Sequence, residues 1–349
     1  MWPVTDRVLT EREVNRAVLA RQLLLERAKI PVPRAVERVG GLQTQEARSG
    51  YIGLWSRMKG FERSQLTRAL ERRSVIHGTV MRVTIHMVSA KDYPLLVAGV
   101  RRARREGWVR AHGKRADARA IAAAARRVHA ALVRGPRWRR EVVEELGLDS
   151  STWNGVGMWV DLVRVPPSGT WERPRGDFYA LAETWLGAPE SSEDDGLDHL
   201  LRRYLGGFGP ATLKDAANWA GLPPRALAPA AERLGLRRFR ADDGAELLDL
   251  PRAPLPDPDT PAPPRFLPTW DATLLAHARR AQILPERHRT KVFNPRTPHS
   301  LSAFLVDGQA AGSWTLERGR VRIEPFERIS RGRRKELDEE AGRLEEFLA

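Results

Sequence analysis

Cysteine is absent from the 349 residues. Its absence removes disulfide frameworks, thiolate metal sites, iron–sulfur clusters and cysteine nucleophiles together. Lysine is scarce, occurring only at positions 29, 59, 91, 114, 214, 291 and 335. No stretch approaches the roughly 18 apolar residues of a membrane span, and residues 1 to 30 lack the apolar core of a signal peptide. A soluble cytoplasmic protein with no membrane partner is expected. The histidines, at 77, 86, 112, 129, 199, 277, 288 and 299, form no i, i+4 pair and no His-Glu-x-x-His motif, so no zinc centre is expected. A phosphate-binding P-loop is also missing. The glycines of "NGVGMW" fall in a helix-like segment rather than after a strand, the wrong context for a dinucleotide site. Neither "DSSTW" nor "GSW" makes a nucleophile elbow. No metal and no cofactor is therefore expected.

What the chain has in excess is positive charge. Fifty-nine Lys and Arg stand against 44 Asp and Glu, a net charge of +15 carried almost entirely by arginine. A GC-rich genome accounts for arginine replacing lysine better than it accounts for the net charge. The surplus points to a polyanionic partner, most simply nucleic acid, and so to a nucleoid-associated protein. The length suits two medium domains or several small modules.

Helix signals and hairpin signals alternate along the chain. Thr10-Glu11-Arg12-Glu13 reads as a capping box, followed by Val14, Ala17, Val18, Leu24, Leu25 and Ala28 at helical spacing until Pro31 and Pro33. Helical pieces follow from Pro33 to Val39 and from Ser64 to Leu70. Val80 to Val88, "VMRVTIHMV", alternates with period two and predicts a half-buried strand that carries Arg82. The order recurs. Helices are predicted over 121–134, 139–146 and 151–163 before the turn signal Pro-Pro-Ser-Gly, then over 198–205, 211–220 and 223–234 before a hairpin at Asp243-Gly244. Three helix-then-hairpin groups describe three winged helices, over 1–95, 96–188 and 189–250. Residues 251–268 hold prolines at 251, 254, 256, 258, 261, 263, 264 and 268 and read as an extended linker or a strap along the surface. Residues 269–349 form a mostly β module, with turns at Asp307-Gly308 and Arg318-Gly319 and a closing helix from Lys335 to Leu348. The fold class is α+β.

Winged helices with a positive surplus suggest DNA binding, one helix entering a groove while the wing meets the backbone. Arginines cluster at 101, 102, 104 and 105, at 137, 139 and 140, at 173 and 175, and at 237, 238 and 240. On this ground alone a non-enzymatic transcriptional regulator, binding a ligand in its β module, is as consistent as an enzyme.

"GLQTQEARSGYIGLWSR" in the first winged helix, "GTVMRVTIHMVSAKDYPLL" after it, and "FLPTWDATLLAHARR" and "FLVDGQAAGSWTLERGRVRIEPF" downstream decide between them. Together these segments resemble the family of winged-helix DNA glycosylases that unhook interstrand crosslinks, over essentially the whole chain. The resemblance implies three tandem winged helices plus a C-terminal β-barrel-like module around a DNA channel. It also implies a catalytic motif of glutamine, any residue, then glutamine or aspartate. Gln43-Thr44-Gln45 is similar to the Gln-x-Gln branch associated with resistance to azinomycin, which makes Gln43 and Gln45 the expected catalytic residues. Arg82, Arg137, Arg139, Arg140, Arg173, Arg175, Arg237 and Arg238 are the expected DNA contacts. The implied partner is double-stranded DNA carrying alkylated or crosslinked purines, bound by a monomer.

Carboxamides suit such a substrate. A purine alkylated at N7 or N3 is already cationic and leaves with little protonation, so water has only to be placed at the anomeric carbon. A Gln side chain offers an acceptor oxygen and two donors for that positioning, where sugar hydrolases ordinarily use carboxylates. A base tethered to the opposite strand cannot rotate freely out of the duplex, which calls for an open groove rather than an enclosed pocket.

Overall fold

The computed structural model describes residues 7–112, 117–187, 191–277, 281–293 and 300–349. Lys114, His299 and residues 278–280 of the quoted segment lie outside them. The first group comprises β1 (Val8–Leu9), α1 (Glu11–Arg21), α2 (Val32–Arg38), β2 (Leu42–Gln43), α3 (Ala47–Arg57), α4 (Arg63–Glu71), β3 (Val75–Thr79) and β4 (Ile85–Ser89). The capping box forms as expected: Thr10 Oγ1 accepts from the Glu13 amide at 3.2 Å, and Glu13 Oε2 accepts from the Thr10 amide at 2.9 Å. The helix it starts is shorter than the apolar spacing suggested. It ends at Arg21, and Leu23 turns the chain through a left-handed backbone (φ 59°).

The predicted strand over 80–88 is a hairpin instead. Met81–Val83 is a 3-10 turn joining β3 to β4, and the alternation that looked like one strand spans the turn and part of β4. Arg82 thus sits at the hairpin tip rather than on a sheet face.

The second group comprises α5 (Tyr93–His112), α6 (Ala118–Leu132), β5 (Arg137–Trp138), α7 (Arg139–Leu146), α8 (Ser150–Val156), β6 (Leu162–Arg164) and β7 (Phe178–Leu181), followed by the short α9 (Ala182–Leu186). The predicted helix over 151–163 covers only α8, and its last residues belong to β6. The 20-residue α5 was hidden in the sequence by its arginines. The third group comprises α10 (Glu193–Phe208), α11 (Leu213–Ala220), α12 (Pro224–Arg233), β8 (Arg237–Ala241) and β9 (Glu246–Asp249), with Gly244 at φ 84° in the expected hairpin turn. β1 pairs in parallel with β8.

Tertiary pairing joins the first two groups. Their hairpins meet edge to edge through antiparallel β3–β6 pairing, giving one six-stranded sheet in the order β2-β4-β3-β6-β7-β5. One hydrophobic cluster runs from Ile76 on β3 through Leu201 on α10 to Ala276, so it is shared across the groups. α5 packs on α10 at a glycine crossing: a Cβ on Gly196 would lie 2.3 Å from the Gly99 amide nitrogen.

The proline-rich stretch has no helix or strand up to residue 264 but turns twice, the Ala253 amide donating to the Leu250 carbonyl and the Thr260 amide to the Asp257 carbonyl, and Arg265–Leu267 is strand β10, with Phe266 and Leu267 fully buried. β10 pairs with β11 (Ala303–Val306), then β12 (Gln309–Glu317) and β13 (Arg320–Pro325), in sequential antiparallel order. Where a barrel-like module was expected, the described residues form an open four-stranded sheet. Its two-residue turns, Asp307-Gly308 (φ 48° and 81°) and Arg318-Gly319 (φ 50° and 77°), lie where the sequence signals put them. The short α13 (Arg289–Val292) precedes β11, and α14 (Arg331–Leu348) closes the chain against β10 and β13.

Candidate active site and nucleic-acid interface

Gln43 ends β2, the outermost strand of the six-stranded sheet on the first group's side, paired with His86 of β4. Its neighbour across the hairpin tip is Arg82. Arg82 and Val83 both have left-handed backbones (φ 51° and 58°), a conformation unfavourable for residues with side chains and retained only where surroundings enforce it. Here the Thr84 amide and hydroxyl both donate to the Met81 carbonyl, at 3.0 and 2.9 Å. The Arg82 guanidinium then makes a bridge. Nη1 donates to the Trp219 carbonyl at the end of α11 (2.6 Å), and Nη2 donates to Gln43 Oε1 (2.8 Å). Because a guanidinium only donates, the oxygen of Gln43 must face it, which leaves the two amide N–H donors pointing elsewhere.

Gln45 stands differently. Thr44 makes the last strand-like contact, its amide donating to the Ile85 carbonyl at 2.8 Å, and the chain then bends out of the sheet. Gln45 is exposed where Gln43 is buried, and its Oε1 accepts only a long bond from the Ile85 amide, 3.3 Å. It borders an open cleft of about 280 Å³ that Thr79, Asn154, Arg164 and Tyr179 also line. The strand register puts Thr79, Arg164 and Tyr179 on one face of the sheet, and Gln43 and His86 on the other. The two glutamines therefore flank the sheet edge.

Two buried histidines lie in the same sheet, His86 as the strand partner of Gln43 and His77 on the opposite face, paired with Arg164. Burial first, and the Arg82 charge second, push His86 down to about 3. Its Nδ1 faces the Thr84 carbonyl at 3.0 Å and must carry the proton, and its Nε2 has no partner among the described residues. His77 is held down at about 4 by burial and then by Arg164. Both rings are neutral near pH 7. Among the described residues no carboxylate lines the cleft, and no group of His, Asp and Glu is arranged to hold a metal. The arrangement offers carboxamides, hydroxyls and guanidinium groups, which bind and orient.

The expected DNA contacts divide by exposure and by sheet. Arg137 on β5 is paired with Glu145 (2.7 Å), and Arg139 lies against Ser150 and the Trp153 ring. Arg140 is exposed, as are Arg173 and Arg175 in the β6–β7 loop, where Arg175 pairs with Asp177 at 3.3 Å. Arg137 is on the Gln43 sheet, Arg139 and Arg140 open α7 directly after its strand β5, and Arg173 and Arg175 lie in one of its loops. Arg237 and Arg238 belong to the separate β1-β8-β9 sheet. Arg237 anchors the proline-rich strap, binding the fully buried Asp249 (2.6 Å) and the Ala253 carbonyl (3.0 Å), and Arg238 pairs with Glu246 across its hairpin. Arg164, Tyr179 and Asn154, which adjoin Gln45, were not expected from the sequence. They lie more than a hundred residues from Gln45, and no local pattern marks them.

Three comparisons bear on this geometry. The family described as "DNA glycosylase AlkZ-like" matches residues 36–347. Among solved structures, Streptomyces sahachiroi DNA glycosylase AlkZ matches with a TM-score of 0.81 at 19% identity, covering 97% of both chains, a likeness that establishes the fold. No curated protein matches.

Proposed function

The chain belongs to the AlkZ-like family of DNA glycosylases, and from that premise we propose that it hydrolyses the N-glycosidic bond of cationic N7- or N3-alkylated purines in duplex DNA. Bulky monoadducts and interstrand crosslinks are included, as in self-resistance to an alkylating antibiotic. Membership of an enzyme family sets aside the regulator reading. In this proposal the three helix-and-hairpin groups act as tandem winged helices and the sheet of β10–β13 as the fourth module of a monomer.

The observation that carries the reading is Gln43-Thr44-Gln45 at a sheet edge, Gln43 held by Arg82, beside an open cleft lined by no acid among the described residues. A cationic purine departs neutral, so the leaving group needs no proton donor, and the neutral His86 and His77 offer none. Gln45, exposed and held by one long bond, has an oxygen lone pair for a water aimed at the anomeric carbon. Gln43, with its oxygen occupied by Arg82, presents N–H donors to the sugar–phosphate. Water is the nucleophile, and the gain comes from positioning.

Single-turnover release of N7-methylguanine from methylated duplex, with binding measured separately, tests this. Gln45→Ala and Gln43→Ala should each slow release on the order of 10²-fold, by analogy with loss of one preorganised hydrogen-bonding group, with affinity nearly unchanged. Gln45→Asp should keep part of the rate, since its carboxylate still accepts from water. Wild-type rates in the double alanine variant would refute the assignment.

A further inference from the structure

We propose that the cleft beside Gln45 is a phosphodiester subsite, in which Arg164, Tyr179 and Asn154 hold one backbone phosphate of the target strand and so place the sugar against Gln45. The inference rests on the glycosylase reading above and names which part of the substrate occupies this cleft.

Among the described residues the cleft is rich in donors and empty of acids. Arg164 on β6 meets no carboxylate among the described residues. It reaches Thr79 Oγ1 at 3.3 Å and lies 5.1 Å above the ring of Tyr179, its direct partner on β7. Among the described residues these two contacts leave most of its N–H fork unused. Tyr179 is only 8% exposed, yet its hydroxyl has no hydrogen-bond partner among the described residues and is not sealed off from the cleft. Asn154 projects from α8 with its amide likewise uncommitted. Arg104, the other guanidinium in the wall, is spent: it binds the Thr79 carbonyl (2.7 Å) and Asp161 (2.8 Å) and is nearly buried.

A ligand suited to this wall has several acceptor oxygens and negative charge, as a phosphodiester does. A cationic alkylpurine is the opposite: an uncompensated guanidinium a few ångströms away would repel it, and both aromatic rings of the wall already face a guanidinium, Tyr179 that of Arg164 and Trp153 that of Arg139. The register continues the trend, since Tyr179 pairs on its other side with Arg137 of β5, so Arg164, Tyr179 and Arg137 form one row across three strands on one face. The base then lies outside the cleft, as a base tethered to the opposite strand must.

Duplexes with one N7-methylguanine and a neutral methylphosphonate replacing the phosphate on either side of it provide the test. For the wild type, one of the two substitutions should slow single-turnover release about 10- to 100-fold, the range for a charge-assisted hydrogen bond. Arg164→Gln should show a similar loss on the natural duplex and little further loss on that methylphosphonate. Tyr179→Phe should lose several-fold without a change in thermal stability. In binding, Arg164→Gln should flatten the slope of log K against log salt by about 0.9, one phosphate's worth, and Arg164→Lys should restore it. Losses from Arg164→Gln that persist in full on both methylphosphonate duplexes, or that grow with the bulk of the alkylated base, would make the cleft a base pocket and overturn the proposal. An unchanged salt slope would overturn it too. The salt slope needs no turnover, so absence of base release by the wild type would defeat the glycosylase substrate assignment while the phosphate subsite is still read separately.

Discussion

Arg82 shows how a single side chain ties three segments to one site. Its left-handed backbone is stabilised by the Thr84 contacts, and Gly221, itself at φ 77°, comes so close that an added Cβ would sit 3.1 Å from the Arg82 backbone. In the same sheet, the buried His86 and His77 link stability to pH. Both titrate well below the ordinary histidine value when folded, at about 3 and about 4, because burial disfavours the charged ring. The unfolded chain therefore binds more protons below pH 6.5. The stability these histidines contribute is fully present above that value and is lost as pH falls from 6.5 toward the folded pKa values, by up to about 1.4 kcal/mol per pH unit for each ring. Denaturant unfolding between pH 7.5 and 5 should show this decline, and His77→Gln should remove part of its slope. A flat profile in that interval would contradict the burial argument.

At the scale of elements, the α5–α10 crossing sets how closely the second and third groups approach. Gly99 and Gly196 face each other with backbone on both sides, so an added methyl group meets the Gly99 amide and the Leu95 carbonyl rather than a side chain that can swing away. Gly196→Ala should destabilise the protein by about 1–3 kcal/mol, the usual range for overpacking, measurable as a lower denaturation midpoint. Gly342→Ala, on α14 with no heavy atom near the added Cβ, is the control and should be neutral or slightly stabilising. The hairpins show which element signals survive folding. Asp243-Gly244, Asp307-Gly308 and Arg318-Gly319 turn as their sequences indicate, because the left-handed glycine requirement is local. The alternation over 80–88 misled because its turn contains no glycine, and tertiary contacts supply the strain that glycine would have avoided.

For the whole molecule, buried arginine–aspartate pairs join segments distant in sequence. Arg57 of α3 binds Asp271 through two 2.9 Å bonds, with both side chains fully buried, and also reaches Gln22 and Thr273. Arg21 of α1 binds Asp249 at 2.6 Å, and Arg16 grips Asp307 at the β11–β12 turn. These pairs fasten the first helices to β9, to the segment after β10 and to a turn of the last sheet, while a shared hydrophobic cluster runs from Leu23 through Phe266 to Leu344. Removing one partner strands a buried charge, so Asp271→Ala should cost about 3–5 kcal/mol, read by urea unfolding. Arg57→Met combined with Asp271→Leu should recover much of that loss. Equal stability of Asp271→Ala and the native chain would show that the pair does not hold the modules together.

The sequence by itself determined the α+β class, most helices, the glycine-bearing turns, the positive surplus and the Gln43-Thr44-Gln45 motif, because periodicity, capping and turn chemistry act over a few residues. The long α5 escaped notice because its arginines masked the apolar stripe, and β10 because prolines surround it. Tertiary structure decided what depends on register between distant strands. It merged two hairpins into one sheet, gave Arg82 to Gln43, set the two glutamines on either side of an edge, and brought Arg164 and Tyr179 beside Gln45. It also divided the arginines: Arg237 into an anchor for the strap, Arg140 and Arg173 into the solvent. Charge is written in the sequence, but whether a guanidinium spends its donors on a buried carboxylate or leaves them for a ligand is fixed only when the chain folds back on itself.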